Sequence, residues 1–480
     1  EVLSRRIVVH SGRAGNQYFT AKPKRKAAPG SNSKREQSKR SSADGRRLDI
    51  PTRERGGISE RSILIGLIVV LNIVGSVMVL SASSVESILQ YGSPWAVFER
   101  QLMWVGLGAL AFFVTTKIDY RKWRRATLPL LVVTVFLLFV VLVPGLGHNV
   151  AGSSRWVGFG PLKMQPSELA KLAIVIYGAE MLARRSDKID DWRSSLRPLL
   201  IVLIILGALI MKQPDMGTTM ILVVSAMGLL FVAGTPSKQL GVVSLGIIGS
   251  AIVLGIAEPY RRERLTSFLH PFSQSSNAGY QVVQSISALG SGHILGVGLG
   301  ASRAKWGFLP NAYTDFIFSV IGEELGVIGA LVVVGLFVVL AIMGIRVAKR
   351  SPDKFGYLLA SGITCWVVGQ AVINMGAVVG ILPVTGVPLP FISYGGTSLV
   401  IMMVAIGVLV NISSSSNGIG EPSLRFERIS TVQRGRSKSL VKRDSDYSTD
   451  ISGRDEIHLA SGRHIRRAEV ARRHPRQRKQ

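Results

Sequence analysis

Cysteine is nearly absent. Cys365, inside an apolar run, is the only one in 480 residues, which excludes a disulfide framework. Aromatic residues are scarce at 7%, and 29 Asp plus Glu face 57 Lys plus Arg, for a net charge of +28. A pI of 10.8 would by itself point to nucleic acid. Mean hydropathy is nevertheless positive, at +0.34, which a soluble domain with this much charge rarely reaches. The two facts agree only if charge and apolar residues are segregated along the chain. Residues 1–61 hold 16 Lys/Arg and 6 Asp/Glu, residues 414–480 hold 16 and 8, and residues 62–413 keep 25 and 15 among long apolar runs. The basicity belongs mainly to two polar tails beside a membrane core. A soluble globular enzyme is thereby excluded as the class, and nucleic acid as the partner.

The tails, rich in Ser, Lys, Arg and Gly, read as disordered and as attracted to anionic inner-leaflet lipid. Between them the pattern predicts an all-α integral membrane protein of ten spans, each near the length needed to cross a bilayer core. They fall at 62–83, 98–117, 127–145, 167–183, 198–212, 217–235, 239–257, 316–345, 356–378 and 396–413. The first run begins only near Ser62, so no secretory signal is read before it. Three short loops are basic: Lys117–Arg125, Arg184–Arg197 and Arg346–Lys354. With ten alternating spans they share one side with both tails, and the positive-inside rule makes that side the cytoplasm. The longest segment of the opposite side, 258–315, is then a large extracytoplasmic loop between spans 7 and 8. It holds Arg261, Arg262, Arg264, Arg303 and Lys305, and its length argues for a functional role.

Charge at membrane depth is costly and marks candidate sites. Glu168 and Lys171, in QPSELAKL, share one helix face at i, i+3, behind a Pro166 that suits a helix start. They form either a structural ion pair or part of a pocket. Arg155 and Trp156 lie just before, in a Gly-rich outer loop. Trp156 is there either a membrane-belt anchor or a platform for a sugar. Asp215, in QPDMGT, is either a polar turn at the surface or a site residue. Gly296, Gly298 and Gly300 follow no strand and face outward, so a nucleotide loop is rejected. Asp315 stands where the long loop enters a span. Glu323 and Glu324 follow two turns inside, and at least one of them needs a partner or a proton. The loop ILPVTGVPLPFISYGGTS (381–398) pre-sets an irregular backbone that must be buried in protein or line a cavity.

Taken together, RW…QPSELAKL, QPDMGT, YQVVQSISALGSG, LPNAYTDFIFSVIGEELG and PVTGVPLPFISYGGTS resemble the SEDS family of cell-wall polymerases (shape, elongation, division, sporulation). The resemblance spans about 62–413 and is closer to the division branch, of actinobacterial type, than to the elongation branch. It implies a peptidoglycan glycosyltransferase acting on lipid II, a disaccharide-pentapeptide on undecaprenyl pyrophosphate, at the division septum. The implied partners are a class B penicillin-binding protein of the FtsI type and other division proteins. The family's essential acid falls on Asp315, and its Trp, Glu and Lys on Trp156, Glu168 and Lys171. A histidine usual two residues before that acid is Tyr313 here. The expected roles follow: Asp315 as general base, with Arg155, Arg261, Arg262, Arg264 and Lys305 facing the departing pyrophosphate. Gln213 and Asp215, Gln281 and Gln284, and Ser393 join the substrate-binding candidates from their motifs. No nucleotide is required, because the energy lies in the lipid pyrophosphate; a divalent cation, magnesium or manganese, stays open as a helper, without a recognisable metal cage. Competing readings are a lipid II flippase with the membrane acids as coupling groups, an elongation-type polymerase, and a non-catalytic scaffold.

Overall fold

The computed structural model describes residues 59–144, 148–150, 153–159, 162–257, 262, 268 and 278–416. Both tails, apart from residues 59–61 and 414–416, lie outside the described residues, as do Arg261 and Arg264. The described chain is helical. In order it forms α1 (Glu60–Tyr91), α2 (Ala96–Lys117), α3 (Trp123–Leu142), three short strands β1 (His148–Val150), β2 (Ser153–Phe159) and β3 (Leu162–Met164), α4 (Pro166–Arg184), α5 (Arg197–Met211), α6 (Met216–Ala233), α7 (Ser237–Ala257), α8 (Ala278–Ser291), α9 (Ile317–Arg350), α10 (Lys354–Val378) and α11 (Gly396–Ser416).

Each of the ten expected spans falls on one of these helices. Eight helices among the described residues are long and apolar enough to cross a membrane. The other two expected spans fall short for different reasons. Helix α4 carries Glu168, Lys171, Glu180 and Arg184 and is buried along most of its length. Helix α7 offers a shorter apolar stretch, Ser237–Val253. The chain is a multi-pass membrane protein whose outer helices turn large apolar side chains outward, such as Phe113, Leu128 and Phe136, each more than 60% exposed.

Local chemistry sets the helix ends. Ser59 accepts the Ser62 N–H at the start of α1, and Gly92, at φ 72°, closes it with its N–H on the Ile88 carbonyl. Asp353 accepts the Gly356 N–H at 2.7 Å to start α10. Helix α10 is the hub: it packs on α9, α6 and α4, with Trp366, Leu359, Ile363 and Val367 fully buried. Helix α2 lies along α11. At the end of the bundle carrying the basic loops, Arg124 meets Glu180 at 2.6 Å, Arg121 meets Asp353 at 3.1 Å and Arg350 meets Glu60 at 2.9 Å.

One feature was not legible as a span boundary. Helix α9 breaks at Gly326, whose φ of 69° and ψ of −170° are not helical. Across the break the chain exchanges partners with residues 293–298. The Val297 and Gly298 N–H groups donate to the Glu323 and Glu324 carbonyls, and the Val327 and Ile328 N–H groups donate to the His293 and Ile294 carbonyls. A side chain at 326 would meet the Ile294 carbonyl oxygen at 2.3 Å, so only glycine fits.

Candidate functional site

The segment expected to be a Gly-rich loop around Arg155 and Trp156 is instead a three-stranded antiparallel sheet, β1-β2-β3. Strand alternation places neighbouring Arg155 and Trp156 on opposite faces. Trp156 pairs in register with His148 and is half-buried. Arg155 donates from Nε to the Gln213 carbonyl at 2.9 Å and from Nη2 to the Pro214 carbonyl at 2.5 Å. Its place in the site is therefore that of a clamp on the QPD turn.

That turn opens α6. Asp215 is the helix cap, accepting the Thr218 N–H at 3.0 Å and the Thr218 hydroxyl at 2.9 Å, with Gln165 Nε2 at 3.2 Å. Its carboxylate is thus committed to the fold. Gln213 donates to the Leu138 carbonyl at 3.1 Å, while its Oε1 is buried without a hydrogen bond. In the first turn of α6, Gly217 admits the loop 381–398. A Cβ there would lie 2.3 Å from the Thr385 carbonyl oxygen.

Helix α4 starts with Pro166 in its first turn, as expected. Glu168 and Lys171 are both buried, and Lys171 Nζ lies 2.8 Å from the carboxylate. One carboxylate oxygen accepts an aligned hydrogen bond; the other is equally near but takes none. The ammonium also donates to Gln370 Oε1 at 2.9 Å and stands 5.7 Å from the centre of the Trp366 ring. Gln370 accepts from Trp366 Nε1 at 3.2 Å and donates to the Pro388 carbonyl at 2.9 Å. The ion pair is therefore wired to the 381–398 loop through α10.

Asp315, on the segment that leads into α9, lies against the same loop. It is half-buried, and its Oδ2 sits 3.5 Å from where a Cβ on Gly386 would be. Gly386 itself has φ 68°. The cap position of α9 is Phe316 and the first helical residue is Ile317, which places Asp315 one residue before the cap. One turn beyond Gln370 on α10, Asn374 donates to the Asp315 carbonyl and to the Val387 carbonyl, each at 2.7 Å. Tyr313, at the position of the family's histidine, packs edge-on against Tyr394 at 5.8 Å between ring centres. Burial, helped by the Glu86 charge and by Tyr394 and Tyr91, pushes its hydroxyl up to about 12. It therefore keeps its proton at neutral pH.

Other candidates sit apart from this convergence. Ser393 is buried inside its loop, its hydroxyl accepting the Leu389 N–H at 2.8 Å. Lys305 donates to the Gly300 carbonyl. Arg262 is exposed, and Gln281 and Gln284 are half-buried on α8. Among the described residues, Glu323 and Glu324 meet the expectation of partners with hydroxyl and N–H donors. Glu323 takes the Ser302 hydroxyl at 2.5 Å and the Arg303 N–H at 2.9 Å, and Glu324 takes the Ser81 hydroxyl at 2.6 Å. Among the described residues no three His, Cys, Asp or Glu side chains gather into a metal-binding group. Sequence reasoning missed Gln370 and Asn374. Their signal was present, as two amides at i, i+4 in an otherwise apolar span.

Fold and site define a multi-pass helical membrane protein with one acid held at a junction of irregular loops. The chain belongs to the FtsW/RodA/SpoVE family: residues 61–418 match the family model described as a cell cycle protein. It is 41% identical over 357 residues to the probable peptidoglycan glycosyltransferase FtsW of Geobacter metallireducens, covering 74% of this chain and 95% of that one. It is 42% identical to the FtsW of Mycobacterium tuberculosis, covering 73% and 67%, and 40% identical to stage V sporulation protein E of Bacillus subtilis, covering 74% and 97%. Among solved structures, one described as "Structural coordination of polymerization and crosslinking by a peptidoglycan synthase complex" matches with a TM-score of 0.62 and 27% identity, over 74% of this chain and 97% of that one. The rod shape determining protein RodA of Thermus thermophilus matches with a TM-score of 0.54 and 25% identity, over 74% and 96%.

Proposed function

We propose that this chain is a peptidoglycan glycosyltransferase that polymerises lipid II into glycan strands for the division septum, with Asp315 as its general base. The supporting observation is the placement of that carboxylate. It lies outside the helix cap, against Gly386, and its main chain is pinned by Asn374. In the reaction the 4-hydroxyl of an incoming lipid II attacks the anomeric carbon of a glycan carried on undecaprenyl pyrophosphate. Asp315 takes the hydroxyl proton, a new glycosidic bond forms, and the bond to pyrophosphate breaks. A positioned base contributes on the order of 10²–10⁴-fold. Arg262, with Arg261 and Arg264, balances the charge on the leaving pyrophosphate. Residues 62–413 form the ten-span membrane domain, with both termini cytoplasmic. A class B penicillin-binding protein of the FtsI type works beside the chain. The similarity to a synthase complex that couples polymerisation to crosslinking supports that pairing.

The test is Asp315→Asn in the full chain, with glycan products from lipid II resolved on a gel. The expected result is a folded protein whose polymerisation falls by about two orders of magnitude or more. Synthesis within tenfold of wild type would end the general-base assignment, and movement of lipid II across vesicles without glycan synthesis would favour a flippase.

A further inference from the structure

Asn374 lies in the last two turns of α10 and is 2% exposed. Its Nδ2 carries two hydrogens and gives both to main-chain carbonyls, those of Asp315 and Val387, each at 2.7 Å. Only a donor fits between two carbonyl oxygens, which fixes the orientation of the amide. The price of that orientation is Oδ1, which is buried without a partner. A buried acceptor left without a hydrogen bond is destabilising, and an apolar residue of similar volume would avoid it. The two carbonyls belong to different segments. One carries the candidate base, and the other lies next to Gly386, against which the Asp315 carboxylate rests. A single side chain thus sets the spacing between the acid and its wall.

The amide one turn earlier on α10 extends the arrangement. Gln370 holds the Pro388 carbonyl at 2.9 Å and receives Lys171 at 2.9 Å. The buried Glu168–Lys171 pair therefore reaches the wall of the Asp315 site through Gln370.

We propose that Asn374 is a positioning residue for the Asp315 carboxylate, with Gln370 linking the Glu168–Lys171 pair to the same loop. This inference rests on the reading of Asp315 as the base. It differs from a merely structural role in what it does to the reaction: loss of Asn374 disturbs the geometry of proton removal and not the capture of lipid II.

The experiment compares Asn374→Leu and the smaller change Asn374→Ala with wild type, as full chains purified in detergent and supplied with lipid II. Thermal unfolding, kcat, KM and the pH profile of kcat are measured. The expected result is folded protein with kcat reduced about 10- to 100-fold, the scale of a misplacement near 1 Å. KM stays within about threefold of wild type, since ground-state binding is untouched. The acid limb of the pH profile shifts because the carboxylate has changed surroundings. Placed on Asp315→Asn, either change causes no further loss, because its effect runs through Asp315. The proposal is overturned by any of four results: kcat within threefold of wild type, a loss confined to KM, a full additional loss on the Asp315→Asn background, or failure of both variants to fold. If Asp315→Asn itself polymerises lipid II within tenfold of wild type, it is the base reading that has failed.

Discussion

Lys171→Met isolates the buried ion pair. Methionine keeps the length and much of the aliphatic stem of lysine while removing the ammonium. In the wild type that ammonium is fully buried, 2.8 Å from Glu168 and 2.9 Å from Gln370. Glu168 is 2% exposed, so the substitution strands a carboxylate that water cannot reach. Breaking a buried pair from one side costs about 3–5 kcal/mol. At about 1.4 kcal/mol per decade, that is roughly two to three and a half orders of magnitude in the folding equilibrium. Glu168→Gln strands the ammonium instead and loses a comparable amount. The double variant Glu168→Gln/Lys171→Met buries no charge, so its stability returns to within about 1–2 kcal/mol of wild type. Polymerisation follows the same pattern: each single change lowers it, and the double is no worse than the weaker single. The assay is equilibrium unfolding in one detergent at pH 7, followed by protease resistance. A loss under about 1 kcal/mol for Lys171→Met, or a double variant as unstable as the sum of the singles, refutes the reasoning.

Asp215→Ala removes the cap of α6 and the Gln165 tie together and costs about 1–2 kcal/mol, whereas Asp215→Asn loses less than half of that; the same unfolding assay separates them. Asp353 gives a pH test at the opposite end of the bundle. Burial pushes its carboxyl up, but the Gly356 N–H, the Tyr120 hydroxyl and the Arg121 guanidinium outweigh it and hold the acid below its ordinary value. A depressed folded-state value means stability that is complete above about pH 4, the unfolded value, and lost as pH falls through the folded one. Wild type should exceed Asp353→Asn by a constant margin from pH 5 to 7, and the margin should close below pH 4. A margin that widens toward acid would reverse the sign of the argument.

The readable part of the fold was the part carried by local composition. A run of apolar residues near bilayer length specifies a helix regardless of its neighbours, and every expected span lies on one. The sheet at 148–164 escaped because its outer strands are three residues long and its centre is rich in Gly and Ser, which read as loop. The break at Gly326 escaped because its cause is distant: the freed carbonyls of Glu323 and Glu324 are satisfied by Val297 and Gly298. In the site, the motifs named residues that the fold brings together, but not the bonds each of them makes. Arg155 and Asp215 carry charge, which marks them as candidate substrate contacts, and in the fold they make main-chain and cap bonds in the QPD turn. Charge type alone does not tell a clamp from a ligand contact, because the difference depends on which carbonyls lie within reach.

The adjacent acids Glu323 and Glu324 show how the fold carries an irregular segment at this depth. Among the described residues neither pairs with a cation, and both are buried. Their oxygens are met by the Ser302 and Ser81 hydroxyls and by the N–H groups of Ser302, Arg303 and Ala304, the last at 3.4 Å. These are the donors that a loop leaves unpaired when it is neither helix nor strand, and burying them without acceptors would be unfavourable. The carboxylates are thus receptors for the loop that leads to Asp315, while Ser81 ties them to α1. The short helical piece between Ile317 and the Gly326 break is fixed by backbone exchange at one end and by these acids along its length. Asp315 projects from its other end. A base that takes a proton from a sugar hydroxyl gains most when its surroundings need not reorganise. A half-helix anchored on the loop, on α1 and, through Asn374, on α10 provides such surroundings.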